Sequence, residues 1–215
     1  MLKKSPETEA RGGNRPHKFA IPFVSLPLSH RRRREAEATF DVGVFKRIES
    51  EPSHPFGKCY SNVQSVVARK GGSPVTGWQI LLWPSILIQA VHHCVWRRPD
   101  GSLLDISGKY PGDRKPYSIF VEEPERDLDF SGPIYIPPKA FLLTQAPQAS
   151  RMVAAADRLH SHRYRIFLKL RDAGVPYGTV PSLVTRLKLQ ADFTLEQRYR
   201  EDLSRAIIAC SHLSR

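Results

Sequence analysis

Apolar positions in this chain follow two spacings, and each spacing marks a kind of element. Residues 75–83 and 86–96 are aliphatic and aromatic runs parted by Pro84-Ser85, and 102–107 is a third such run, so three strands are expected. Just ahead of them, Cys59, Val63, Val66 and Val67 recur at i, i+4, i+7 and i+8. That spacing puts one apolar face on a helix that opens at Cys59, and Gly71-Gly72 supplies a left-handed stop. Residues 117–121 and 133–136 are short strand candidates around the acidic Glu122-Glu123-Pro124-Glu125. Over 150–171 the spacing turns helical again, with Met152, Leu159, Ile166 and Leu170 near one face and Gly174 and Pro176 ending it. Two more helices are expected over 181–189 and 194–213.

The N-terminal side is less regular. Residues 1–36 are rich in Pro, Arg, Gly and Ser with no sustained period, which predicts a disordered basic segment. Within it, 20–28 is apolar, but Pro22 and Pro27 forbid a regular interior, leaving an extended arm that docks on the fold. Residues 40–48 read as a short element ended by the stretch from Ser50 to Pro55. The expected architecture is α+β: a helix packed on an antiparallel sheet over 37–148, followed by a helical annex over 149–215.

The loop after the second strand fixes a register. Arg98-Pro99-Asp100-Gly101-Ser102 has Pro at the second position and Gly at the fourth, as a type I turn followed by a left-handed Gly requires. Arg98 then pairs with Ser102 and Val95 with Asp105. His93, two residues from Val95, shares a face with Asp105 and lies diagonally across from it, while His92 faces the other way. A one-residue slip exchanges the two histidines.

Charge changes the picture of the ends only. The chain of 215 residues has 40% hydrophobic and 25% charged residues, ordinary for one globular core with a small annex, but carries +12. Residues 1–36 hold nine Lys/Arg against three Glu, and 151–215 hold twelve against six acids, so each end is +6 and the middle is neutral. The run Arg31 to Arg34 has no interleaved aromatics, which predicts weak, non-specific polyanion binding at most. Cys59, Cys94 and Cys210 have no repeated spacing, so neither a disulfide framework nor a paired-cysteine metal motif is expected. No secretory apolar core follows Lys3 and Lys4, and the longest apolar run, 80–91, is interrupted and too short to span a bilayer. These features predict a cytoplasmic protein without a membrane anchor.

The neutral middle holds the candidate chemistry. A cysteine at a helix N-terminus lies where unpaired N–H groups and the helix dipole favour thiolate, and Lys58 adds a nearby positive charge. A strand histidine then serves as general base and acid, and a carboxylate beside it fixes its tautomer. Cys59, His93 and Asp105 supply these groups, with the Cys59 N–H available to an oxyanion. Asn62 and Gln64 lie inside the helix, so no second oxyanion donor is identified.

This order of helix-start Cys, strand His and Asp on the next antiparallel strand resembles the core of the transglutaminase-like group of papain-like cysteine hydrolases. His93-Cys94-Val95-Trp96 is similar to the family's His followed by alternating apolar residues. Gly71-Gly72, Gly77-Trp78 and Pro99-Asp100-Gly101 through Asp105 resemble small bacterial proteins with that arrangement. The likeness extends to about Leu143, and the connection from helix to His strand is short. It implies a papain-like core and cysteine-dependent hydrolysis or acyl transfer on an amide or ester of a protein or peptide substrate, with no cofactor.

Three other roles compete. Cys59 on an apolar stripe is also what a small core residue looks like. A zinc site from Cys59, His92, His93 and Cys94 requires a bulge, because adjacent strand residues point to opposite faces. A non-catalytic basic protein contacting nucleic acid uses the charged ends, although Pro176 and Pro181 fit a helix-turn-helix poorly.

Overall fold

The computed structural model of the protein describes residues 22–123, 128, 136–175 and 180–213. In chain order the elements are β1 (Val24–Ser25), α1 (Arg33–Phe40), β2 (Lys46–His54), α2 (Cys59–Lys70), β3 (Ser73–Trp83), β4 (Leu87–Arg97), β5 (Leu103–Ser107), β6 (Tyr117–Glu122), β7 (Lys139–Leu142), α3 (Pro147–Asp172), α4 (Leu183–Lys188) and α5 (Gln190–Ser211). The fold is α+β, with a sheet and C-terminal helices.

β3 and β4 form the backbone of the molecule, paired from Ser73↔Arg97 to Trp83↔Leu87. Their aliphatic and aromatic side chains suit a pleated surface buried on both sides. At the end of β4 the Pro-Asp-Gly loop closes as the sequence predicts. Arg98 N–H donates to Ser102 O at 2.9 Å, and Gly101 takes φ +87. The register that follows is Trp96↔Leu104 and Arg97↔Leu103.

The sheet departs from the expected antiparallel one. β3, β6, β2, β5 and β4 pair in turn and β4 returns to β3, closing a ring in which β2 and β5 run parallel. Closure leaves these five strands with fewer free edges, and β1 and β7 extend the outer ends of β3 and β4. β2 itself runs on through Ser50 to His54, where residues 50–55 were expected to end an element. Its pairing with β5 shifts register between Ser50 and His54, and this irregularity accommodates Pro52.

Residues 22–36 fall in the segment expected to be disordered apart from an apolar arm docking at 20–28, and they are built into the fold. Val24 and Ser25 pair with Leu82 and Leu81, Phe23 and Leu26 are buried, and Ala36 and Phe40 of α1 pack on Trp78, Ile80 and Ile119. The strand candidate at 133–136 falls mostly outside the described residues, and β7 follows it. The annex begins at Pro147, at the first turn of α3, and ends its first helix before Gly174 at φ +71. Ala149 and Met152 of α3 and Cys210 of α5 pack on Phe23, Trp83 and Leu87, which joins the annex to the far end of the β3–β4 hairpin.

α2 lies over Cys94, Trp96, Leu104 and Ile106 through Val63 and Val66. Burying these two valines contributes about 1.5–3 kcal/mol each. Its C-terminal end is tied down by Trp96 Nε1, which donates to Gly71 O at 3.0 Å.

Candidate active site

Side chains from four strands meet inside the ring at Asp105, which is 1% exposed. Its Oδ1 accepts from Nε2 of His93 on β4 at 3.0 Å and from the Ser107 N–H at 3.1 Å. Its Oδ2 accepts from Ser118 Oγ on β6 at 2.6 Å and from Gln79 Nε2 on β3 at 3.4 Å. Burial raises the carboxyl pKa, but the His93 charge and these hydrogen bonds outweigh it and hold Asp105 below its ordinary value. Asp105 is therefore a carboxylate fixed on both oxygens.

With Nε2 committed to Asp105, Nδ1 is the ring nitrogen left for another partner, and the Cys59 thiol lies close enough to the imidazole for each group to shift the other's titration. Burial lowers the His93 pKa, whereas Asp105 and Cys59 raise it, and the net is well above the ordinary 6.5. For Cys59, burial raises the pKa, while the neighbouring His93 and the N–H groups of Cys94 and Tyr60 lower it below 9.0. Both shifts run in the direction that favours a thiolate beside an imidazolium.

Two features of the chain bring the sulfur there. Among the described residues, β4 pairs with β5 only at Trp96 and Arg97 and with β7 only up to Ala90, so none of them pairs with the edge of β4 around Cys94. The first turn of α2 comes to this edge. The loop ahead of α2 is clamped: Asn62 Nδ2 donates to Pro55 O at 2.8 Å, and Gly108 lies so close that a Cβ there would meet Phe56 N at 2.8 Å. Asn62 is thus occupied in holding the loop.

The structure brings Cys59, His93 and Asp105 together and puts His92 elsewhere. His92 Nδ1 is 2.5 Å from Tyr60 Oη, its Nε2 is 3.1 Å from Glu123 Oε2, and its ring stands edge-on to Trp78. Cys94 is fully buried beside α2, and burial pushes its thiol far up. Among the described residues, no group of three or more His, Cys, Asp and Glu is placed to hold a metal ion. The same residues include no helix long and apolar enough to cross a membrane.

Ser118, Gln79 and Tyr60 were not found from the sequence. For Ser118 the signal was present, as a lone hydroxyl at an inward position of the apolar run Tyr117-Ser118-Ile119-Phe120-Val121. Tyr60 gave none, because its partner His92 is assigned only once the helix is docked. Lys109 was also missed. It is nearly buried and lies 3.6 Å from Asp113, donates to Lys115 O at 2.8 Å, and adds its charge to the field at Asp105.

No family model, curated protein or solved structure matches the chain.

Proposed function

We propose that the protein is a cysteine-dependent hydrolase or acyl transferase acting on an amide or ester, with a protein or peptide as the carbonyl donor. The observation that carries this reading is the Cys59 thiol beside His93, with His93 bonded in turn to the buried Asp105. Cys59 Sγ attacks the carbonyl carbon, and the proton already transferred to His93 passes to the leaving nitrogen or oxygen as its bond to carbon breaks. The thioester then yields to water or an amine, which gives up a proton to His93 as the Cys59 thiolate departs. Asp105 positions His93 without touching the reacting atoms. The order of helix Cys, strand His and strand Asp supports kinship with papain-like, transglutaminase-like cores. Phe56, 53% exposed and stacked edge-on at 4.8 Å against Tyr110, precedes the nucleophile by three residues and offers an apolar contact for the acyl group.

Iodoacetamide labelling tests the nucleophile without knowledge of the substrate. In the folded protein Cys59 should be alkylated at least about tenfold faster than Cys94 and Cys210, at pH values well below that of a free thiol. His93→Ala should slow it at neutral pH, Asp105→Ala should slow it less, and His92→Ala should leave it unchanged. A Cys59 that stays inert until denaturation, or whose rate ignores His93, is a core residue, and the proposal fails.

A further inference from the structure

The C-terminal helices form an open groove that the acyl chemistry does not use. α3 and α5 run antiparallel, and at the end away from the ring their charges are matched across the pair. Arg163 Nε lies 2.9 Å from Glu196 Oε1, and Lys169 Nζ lies 2.8 Å from both Asp192 oxygens. At the end nearer the ring the pattern breaks. Arg151 and Arg158, about two turns apart on α3, face alanines of α5 across a cavity of about 420 Å³. Among the described residues, no hydrogen bond or ion pair engages either guanidinium.

Three features of the cavity specify a ligand. Its charge is unbalanced: Arg151, Arg158 and Arg205 line it against the single Asp202, leaving two uncompensated positive charges. Its floor is apolar, made by Ala155, Ala206 and Ala209, with Ala154 at the exposed rim. It also holds an orphan, since Gln148 lines it and its buried Oε1 has no hydrogen-bond partner. Guanidinium groups match phosphate and carboxylate oxygens two at a time, and a buried amide oxygen without a partner is costly, which favours a side-chain turn that meets a donor in the groove. The volume suits a small molecule.

We propose that this cavity binds a small organic molecule whose doubly charged oxyanion, a phosphomonoester or paired carboxylates, sits among Arg151, Arg158 and Arg205. The body of the ligand lies on the alanine floor and offers a polar group to Gln148. Binding there joins α3 to α5 beside their contact with Trp83 and Leu87, so occupancy stabilises the annex on the ring.

Calorimetric titration of the full chain with phenyl phosphate, phthalate and inorganic phosphate tests the site. Phenyl phosphate or phthalate should bind with a dissociation constant below about 1 mM, at least about tenfold tighter than inorganic phosphate. Binding by the first alone marks a phosphomonoester site, and by the second alone a dicarboxylate site. Arg151→Ala and Arg158→Ala should each weaken binding about tenfold. Arg171→Ala, which removes an exposed guanidinium paired with Asp172, should not change it. The proposal is overturned if neither organic probe binds, if inorganic phosphate binds as tightly, or if the Arg151/Arg158 double variant binds like the wild type. It is equally overturned if only long polyanions bind, with a steep salt dependence.

Discussion

His93 Nε2 lies 3.0 Å from Asp105 Oδ1, and this bond crosses from β4 to β5 beyond the point where their backbones pair. It closes the seam from the inside while α2 covers it from the outside. The carboxylate is consequently structural as well as chemical. Asp105→Ala removes a buried charge and leaves Ser118 and the Ser107 N–H without their acceptor, so urea denaturation should show a loss of about 3–5 kcal/mol. A loss under about 1 kcal/mol would mean that the seam is held by packing alone.

Stability should also depend on pH through the same pair. Asp105 has a depressed pKa when folded, so its contribution is present above the unfolded value of 3.8 and is lost as pH falls through the folded value. His93 has a raised pKa, so its contribution is full below 6.5 and is lost as pH rises through the folded value. Cys59, whose pKa is lowered when folded, works in the opposite sense, its contribution being present above 9.0 and lost as pH falls through the folded value, so the His93 effect is read with the thiol removed. Unfolding free energy measured by denaturant from pH 6 upward should decline in Cys59→Ser and stay flatter in Cys59→Ser/His93→Gln. Parallel curves for the two proteins would show that His93 does not titrate in the folded state as described.

The sequence carried the local geometry of the site and little of its enclosure. Pro99-Asp100-Gly101 set the register of β4 against β5, and that register selects His93 over His92. The valine stripe after Cys59 placed the helix start. Ring closure was hidden because it depends on a parallel pair between β2 and β5, about fifty residues apart in sequence, and because Glu51-Pro52 in β2 carries the pattern of a chain break. β1 was hidden for a similar reason: two residues between prolines hold no period, yet Ser25 N–H and Oγ both bond to Asp113 Oδ2, at 2.9 and 2.7 Å. A residue 88 positions away in sequence supplies that anchor.

Tyr60 next to the nucleophile has a separable role. Its Oη is 2.5 Å from His92 Nδ1 and its ring stacks on the imidazole at 6.1 Å, which anchors the first turn of α2 to β4. Tyr60→Phe keeps the stacking and removes the hydroxyl, so thermal or urea unfolding should show a loss of about 1 kcal/mol. The pH profile of Cys59 alkylation should remain in place, because the thiolate is set by His93 and backbone N–H groups. A profile shifted to higher pH would instead make Tyr60 part of the thiolate's support.

Two glycines near the site separate loop position from backbone strain. Gly101 has φ +87 and open space where a Cβ would go, so Gly101→Ala introduces left-handed strain costing about 1–2 kcal/mol at the tip of the hairpin. Gly108 is instead excluded by crowding: an added Cβ would lie 2.8 Å from Phe56 N and 3.1 Å from His54 O, and those backbone atoms have to move. They belong to the segment that leads into Cys59, so Gly108→Ala displaces the thiol from the edge of β4 and from His93. Gly101→Ala should lower stability and leave the iodoacetamide rate of Cys59 unchanged. Gly108→Ala should lower stability by about 1–3 kcal/mol and also slow the alkylation at neutral pH. Equal alkylation rates in the two variants would mean that the clamp at Gly108 does not set the position of the sulfur.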